Sequence, residues 1–240
     1  MENWPDSTRL MAAIDVTWPP ARMMQAAGWT LREGAGGGKR VSATSGAGDV
    51  PEAEAAMRAM GQARMFRLTP EDADLDAKLA EAGYRVVDPV ALYAAPAADL
   101  VGEQSHLAAA YRCQARPAVM EEIWDQGGIG PARRAIMDRC TAPKMHLMSR
   151  GAEKPAGAAF WAVDGDVAMI HAIEVLSDLR RQGGGKLLME LAARMTLEHG
   201  ATWLALAVTE ANISACALYE KLGMKVAGRY HYRIAEGDIA

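Results

Sequence analysis

Apolar and polar positions along the chain switch between a period near two and a period near 3.6, the signatures of strand and helix. Residues 1–27 hold Trp-Pro and Pro-Pro punctuation and a short helical pattern near Ala21–Ala27. Alternation on both sides of the Gly-rich centre of "GWTLREGAGGGKRVSAT" predicts a β-hairpin with arms Trp29–Arg32 and Lys39–Ala43. An Ala-rich helix is expected over 51–61, a short strand over Met65–Leu68, a helix over Leu75–Ala82 closed by Gly83, and an extended segment over Tyr84–Tyr93. The small, polar stretch "AAPAADLVGEQ" places a domain boundary near residues 94–105.

The second half begins with amphipathic pieces at Pro117–Asp125 and Ala132–Arg139, broken by "QGGIGP". Strands are expected over Lys144–Arg150, Pro155–Val163 and Val167–Val175, with Asp164–Asp166 turning the last two into a hairpin. A helix then runs to about His199, because Leu187, Leu188, Leu191, Ala192 and Met195 fall on one face and Gly200 suits its end. Trp203–Val208 reads as a strand, Asn212 caps a helix to Leu222, Gly223 ends it, and Met224–Arg233 is extended. Helices interleaved with strands predict an α/β or α+β fold, a mixed and mostly antiparallel sheet flanked by helices.

Composition narrows the class. Of 240 residues, 50% are hydrophobic and the net charge is −4, as for a globular protein without an obvious nucleic-acid or membrane surface. Three cysteines (Cys113, Cys140, Cys216), few, odd in number and far apart, read as reduced thiols, so neither a disulfide framework nor a metal site is expected. No run of about 18 apolar residues is present, and "MENWPDSTRL" lacks a signal-peptide core, so a cytoplasmic location is expected.

Two stretches look alike. "LAEAGYRVVDPVALY" (Leu79–Tyr93) and "YEKLGMKVAGRYHYR" (Tyr219–Arg233) align on Gly83 and Gly223, each a short helix, a glycine and a strand. Duplication and coincidence both explain this.

The chemistry concentrates at "RRQGGGKLL" (Arg180–Leu188), three glycines just before a helix. A P-loop is excluded, because Arg180 stands where its first Gly should be and Leu187 follows Lys186; a G-x-G-x-x-G fingerprint fails at Leu188. What remains is Arg-x-x-Gly-x-Gly opening a helix, where unpaired N–H groups and the positive end of the dipole favour a pyrophosphate. The earlier "GAGGGKR" also fails as a P-loop and reads as the hairpin turn.

The run Val167–Arg233 resembles the GNAT superfamily of N-acetyltransferases, which use acetyl-coenzyme A. Two motifs carry the resemblance: "IEVLSDLRRQGGGKLL", and "NISACALYEKLGM" with Met224 where the family most often has Phe. "GWTLREGAGGGKRVSAT", "MFRL" and "LDAKLAEAGYRV" look like the degenerate first half of two-domain members. The resemblance implies a tandem GNAT fold, a degenerate domain over 1–100 and a catalytic one over 101–240.

It further implies acetyl-coenzyme A as co-substrate without a metal. Ile173–Val175 would pair with the pantetheine arm, and the loop Arg180, Arg181, Gln182, Gly183, Gly184, Gly185 and Lys186 would hold the pyrophosphate. Asn212 matches a cofactor contact, although a plain N-cap explains it equally. Tyr219 stands at the position of the acid that protonates the departing thiolate. For the base, His171 and Glu174 are expected on opposite faces of their strand, with His171 sharing a face with Met169, Ile173 and Val175. Met169 stands where some relatives carry a catalytic carboxylate, so His171 or water is expected to serve. The acceptor would be a small-molecule or peptide amine, with a homodimer allowed; a non-catalytic acyl-coenzyme A sensor is the alternative.

Overall fold

The computed structural model describes residues 4–102, 109–151 and 154–238. Its strands are β1 (Arg22–Ala26), β2 (Trp29–Glu33), β3 (Ser45–Gly46), β4 (Met65–Leu68), β5 (Arg85–Pro96), β6 (Ala110–Cys113), β7 (Lys144–Arg150), β8 (Pro155–Asp164), β9 (Val167–Val175), β10 (Trp203–Thr209) and β11 (Lys225–Ile234). The helices are α1 (Ser7–Thr17), α2 (Lys39–Ser42), α3 (Val50–Ala59), α4 (Ala73–Glu81), α5 (Ala118–Gln126), α6 (Pro131–Arg139), α7 (Gly184–Glu198) and α8 (Ile213–Lys221). Strands β1, β2 and β3 form a small sheet, and the other eight form one sheet in the order β4-β11-β5-β10-β9-β8-β7-β6. Among the described residues only β9 and β10 are parallel neighbours in the large sheet. The fold class is therefore the expected one, a mixed and mostly antiparallel sheet flanked by helices.

The N-terminal elements differ from expectation. The first helix is α1, capped by the Asp6 carboxylate, which accepts from the Arg9 N–H at 2.8 Å. The stretch near Ala21–Ala27 is mostly strand, because Ala27 and Gly28 both have positive φ (49° and 84°) and so make the tight turn joining β1 to β2. The hairpin therefore lies one arm earlier than predicted, and Lys39–Ala43 is largely the short helix α2. The boundary stretch holds the end of β5, while its residues 103–105 lie outside the described residues.

The centre of the large sheet repeats one set of registers. β4 pairs Met65, Phe66, Arg67 and Leu68 with Ile234, Arg233, Tyr232 and His231. β10 pairs Ala205, Leu206, Ala207 and Val208 with Ala94, Tyr93, Leu92 and Ala91. The second set is the first moved by 140 positions, Met65 becoming Ala205 and its partner Ile234 becoming Ala94. Between β5 and β11 the pair Arg85–Ile234 maps in the same way onto Lys225–Ala94, and α4 maps onto α8. A pseudo-two-fold axis thus passes between β5 and β11.

Each half inserts its last strand into the other. β5 lies between β10 and β11, and β11 lies between β4 and β5. The N-terminal strands therefore do not build one sheet of their own: β1 and β2 stand in the small sheet, while β4 and β5 join strands of the second half.

Alternation along the strands gives the large sheet two apolar faces. Tyr93, Ile170, Leu206 and Val208 pack with α7 and α8 on one face. Val90, Met169, Ala205, Tyr230 and Tyr232 pack on the other with Leu10 and Ile14 of α1, beside a cluster where α5 and α6 meet β8.

Candidate active site

The one parallel pairing in the large sheet is short. Trp203–Ala205 pair with Val167–Met169; beyond them β10 stays with β5 while β9 stays with β8. The two strands separate, and a slit opens through the sheet. β9 is also bulged, its register with β8 jumping from Glu174–Ala158 to His171–Phe160 around Ala172, whose φ is 50°. The Trp124 indole N–H holds this bulge by donating to the Ala172 carbonyl at 2.8 Å. Trp124 is fully buried core.

The bulge inverts the expected parity of β9. Met169 and His171 face α1 as expected, His171 packing against Trp18 with ring centroids 5.0 Å apart. Ile173 instead packs on the α7 face, away from His171. Glu174 lies beside Gly127 at the end of α5, where a Cβ would come within 2.4 Å of its carboxylate, and it pairs with Arg180 at 3.0 Å. A strand without an extra residue alternates strictly, which is why sequence parity failed here.

A cavity of about 350 Å³ occupies the slit and has walls from both faces. Ile170, Ile173, Leu206, Val208, Asn212 and Tyr219 contribute from the α7–α8 side. Trp18, Lys39, Arg40, His171, Tyr230 and Tyr232 contribute from the α1 side. Sequence reasoning missed Trp18, Lys39, Arg40, Tyr230 and Tyr232. The signal for Lys39 and Arg40 was present in "GGGKR", set aside as a hairpin turn.

Tyr219 is buried on the second half of α8, its ring centroid 5.7 Å from that of Tyr93. Burial, aided by Cys216, raises its pKa well above the ordinary tyrosine value, so the phenol keeps its proton. Among the described residues its hydroxyl has no hydrogen-bond partner. Asn212 caps α8, its side chain accepting from the Ala215 N–H at 3.2 Å, and it lines the cavity as well.

His171 is held in one tautomer. The Thr17 hydroxyl donates to the Ala13 carbonyl at 2.6 Å, so it can only accept at the 2.9 Å contact with His171 Nε2. Nε2 therefore carries the proton, and Nδ1 is a bare acceptor, buried and without a partner. Burial first, and the charge of Arg40 second, push the His171 pKa well below its ordinary value.

The glycine loop lies outside the cavity, at the start of α7. Gly183 has φ 89° and precedes the helix, Arg181 has φ 63°, and the first helical bond runs from Leu187 N–H to the Gly183 carbonyl at 3.0 Å. Gly184, Gly185 and Lys186 thus carry N–H groups with no carbonyl one turn back. A Cβ on Gly185 would lie 3.1 Å from Leu218, so α7 abuts α8 here. The basic side chains are largely engaged: Arg180 with the Val175 carbonyl and Glu174, Lys186 with Glu190 at 3.5 Å. Gln182 turns back to the Asp178 carbonyl at 3.4 Å, and Arg181 is exposed.

Among the described residues no group of three or more His, Cys, Asp or Glu is placed to hold a metal ion, and no helix is long and apolar enough to cross a membrane. Cys113, Cys140 and Cys216 are free thiols.

Comparison with known proteins agrees with this architecture. Residues 117–224 match the model of the Acetyltransferase (GNAT) family. A GCN5-related N-acetyltransferase from Kribbella flavida shares the fold at a TM-score of 0.73 and 22% identity, covering 96% of each chain. A functionally unknown conserved protein from Staphylococcus epidermidis matches at 0.66 and 11% identity, over 94% of this chain and 97% of its own. A tandem GNAT protein from the clavulanic acid biosynthesis pathway matches at 0.57 and 15% identity, over 79% of this chain and 69% of its own. No curated protein sequence matches the chain at a significant level. The protein carries an acetyltransferase domain of the GNAT family at residues 117–224, within a fold that solved GNAT proteins share over nearly its whole length.

Proposed function

We propose that the protein transfers an acetyl group from acetyl-coenzyme A to the primary amine of an acceptor by direct attack on the thioester. One observation carries this reading: the slit through the sheet is lined by a protonated, unpartnered phenol from one face and by the His171 ring, whose buried Nδ1 has no partner, from the other.

The residues present fit the co-substrate. The unpaired N–H groups of Gly184, Gly185 and Lys186 at the positive end of α7 suit a pyrophosphate, and the absent Cβ atoms let it approach. Arg180 and Lys186 supply less free charge than the motif suggests, since both are already paired. Ile173 and Val175, at the free side of the splayed β9, offer backbone for the pantetheine arm, and Asn212 lies at its path.

Acetyl-coenzyme A brings the activated acyl group; the chain would supply geometry and proton management. Nδ1 of His171 takes a proton from the attacking amine as the C–N bond forms. Tyr219 gives its proton to the sulfur as the C–S bond breaks, which suits a phenol of pKa about 10 or above facing a thiol of about 8.5. The bulge at Ala172 breaks the register of β9 with β8, and backbone N–H groups there would receive the oxygen's negative charge. The two substrates would enter from opposite faces of the sheet.

The repeated registers support reading residues 1–100 as a second, degenerate copy of the fold and 101–240 as the catalytic one, in a cytoplasmic protein. An assay for free thiol with acetyl-coenzyme A and a panel of amines tests the reading. Amine-dependent release is expected. Coenzyme A binding without release for any amine would instead indicate a sensor.

A further inference from the structure

The wall of the cavity on the α1 side carries more positive charge than the reaction requires. Four charged side chains line it: Lys39, Arg40, Asp88 and Arg133. Lys39 and Asp88 pair at 3.1 Å and offset each other. Arg133 is exposed beside Gly38, where a Cβ would lie 3.6 Å from its guanidinium. Arg40 differs from all of these. Its Nη2 donates to the Ala207 carbonyl at 3.2 Å, Tyr230 and Tyr232 lie beside it, and its Nε is buried with no acceptor. Among the described residues no carboxylate pairs with it.

A guanidinium half-withdrawn from water without a counter-ion is costly, and a buried N–H without an acceptor adds to the cost. Such a group persists where something outside the chain completes it. The loop that delivers it is built for close packing. A Cβ on Gly37 would come within 2.7 Å of Ile136 Cδ1 and 2.8 Å of Val41 Cγ2, so glycine alone lets the loop press against α6. Gly38, with φ 91°, then turns the chain into α2, which starts with Lys39 and Arg40. This accounts for "GAGGGKR": its glycines seat an arginine in the cavity that also holds His171 and Tyr219 of the other half.

We infer that Arg40 receives a carboxylate carried by the acceptor, so that the acetylated amine belongs to an amino-acid-type molecule. The planar guanidinium matches a carboxylate, with the Tyr230 hydroxyl, which accepts from Tyr232, as a further donor. The apolar body of the acceptor lies against Trp18 and Ile129, and its amine is directed toward the His171 ring. The N-terminal half thereby sets acceptor choice. This inference rests on the acetyl-transfer reading, which its test keeps separate.

The probes are glycine, alanine, leucine, phenylalanine and lysine, each against its amide as acceptor. Binding of the corresponding N-acetyl amino acids and their amides is measured by calorimetry without acetyl-coenzyme A. Amino acids are expected to exceed their amides in kcat/KM by roughly 10- to 100-fold for the best member, as for a charge-assisted hydrogen bond. In Arg40→Met the ratio falls toward one, while Arg40→Lys keeps part of it. The ratio compares two substrates on one preparation, so a misfolded fraction cancels. Carboxylate-selective binding without acetyl transfer to any amine would keep the subsite and remove the functional reading. No selectivity in rate or binding for any pair, or selectivity that survives in Arg40→Met, overturns the inference.

Discussion

Two places in the large sheet correspond under the shift of 140 positions, and they have opposite fates. Beside β10 the parallel neighbour departs after Ala205, and the slit opens. Beside β4 the chain stays close: the Thr44 N–H donates to the Met65 carbonyl at 2.9 Å, and the Arg67 N–H donates to the Thr44 carbonyl at 2.8 Å. Arg67 corresponds to Ala207, so at the level where β10 has lost its parallel neighbour a single bridge from Thr44 still closes the space beside β4. What remains of the space is filled. On the helical face Phe66, in place of Leu206, packs between Trp29 and Tyr84 at 5.3 and 5.7 Å, and Leu79 stands where Tyr219 would be. On the α1 face Arg67 and Arg32 share the Asp15 carboxylate, Arg32 approaching it at 2.6 Å. Burial opposes the charge on Asp15, yet Arg67 and Arg32 hold its pKa below the ordinary carboxylate range. One framework thus makes either a site or a core, decided by whether the chain beside the strand departs or stays and how large the side chains in the gap are.

The comparison breaks most severely if the halves are separated. Expressed alone, residues 101–240 lose β5 from between β10 and β11, leaving two long unpaired edges. Aggregated or unfolded protein is expected by gel filtration and circular dichroism, with recovery on co-expression of 1–100. A monomeric, folded fragment would show that the exchanged strands are dispensable.

Next in size is the chemistry of Tyr219. Tyr219→Phe should lower turnover by about 10²- to 10⁴-fold with acetyl-coenzyme A affinity nearly unchanged, because only the proton donor is lost. Rapid-quench turnover and calorimetry check this, and an unaltered chemical step removes Tyr219 from the mechanism. The counterpart test lies in the filled gap. Phe66→Ala should cost about 3–5 kcal/mol of unfolding free energy in a denaturant titration, as for a buried aromatic, without creating a second coenzyme A site.

Much of this was legible in the sequence, for identifiable reasons. Elements whose ends carry strong signals stand where expected: Asn212 before α8, Gly223 after it, and the Asp164–Asp166 turn between β8 and β9. The candidate residues Tyr219, His171, Ile173 and Asn212 do meet at one cavity. Two kinds of information were hidden. A bulge leaves no mark in a nine-residue strand when the extra residue is alanine, so the parity of Ile173 and Glu174 was misread. The exchange of β5 and β11 is a long-range choice that local pattern does not encode. For the same reason the use of Arg40, some 130 residues before His171, could not be read from spacing.

The smallest effect concerns pH. His171 is neutral in the fold with a depressed pKa, so below about 6.5 the unfolded chain binds a proton that the folded chain refuses. Stability is therefore full above about 6.5 and falls as pH drops toward the folded value, by up to about 1.4 kcal/mol per unit. His146, also depressed, chiefly by burial and by Arg116, acts with the same sign. Denaturant titrations between pH 7 and 5 should therefore show a shallower acid slope in His171→Phe than in the parent, without becoming flat. An unchanged slope would mean that His171 is not buried as a neutral base.

The central claim is that one gap is a site and its counterpart is core. Coenzyme A stoichiometry, measured by calorimetry and located in a crystal structure of the complex, tests it most directly. The account predicts one molecule per chain, its pyrophosphate at Arg181–Lys186 and its thiol at Tyr219. A second molecule in the N-terminal half near Gly46, or a single one placed there, would contradict it.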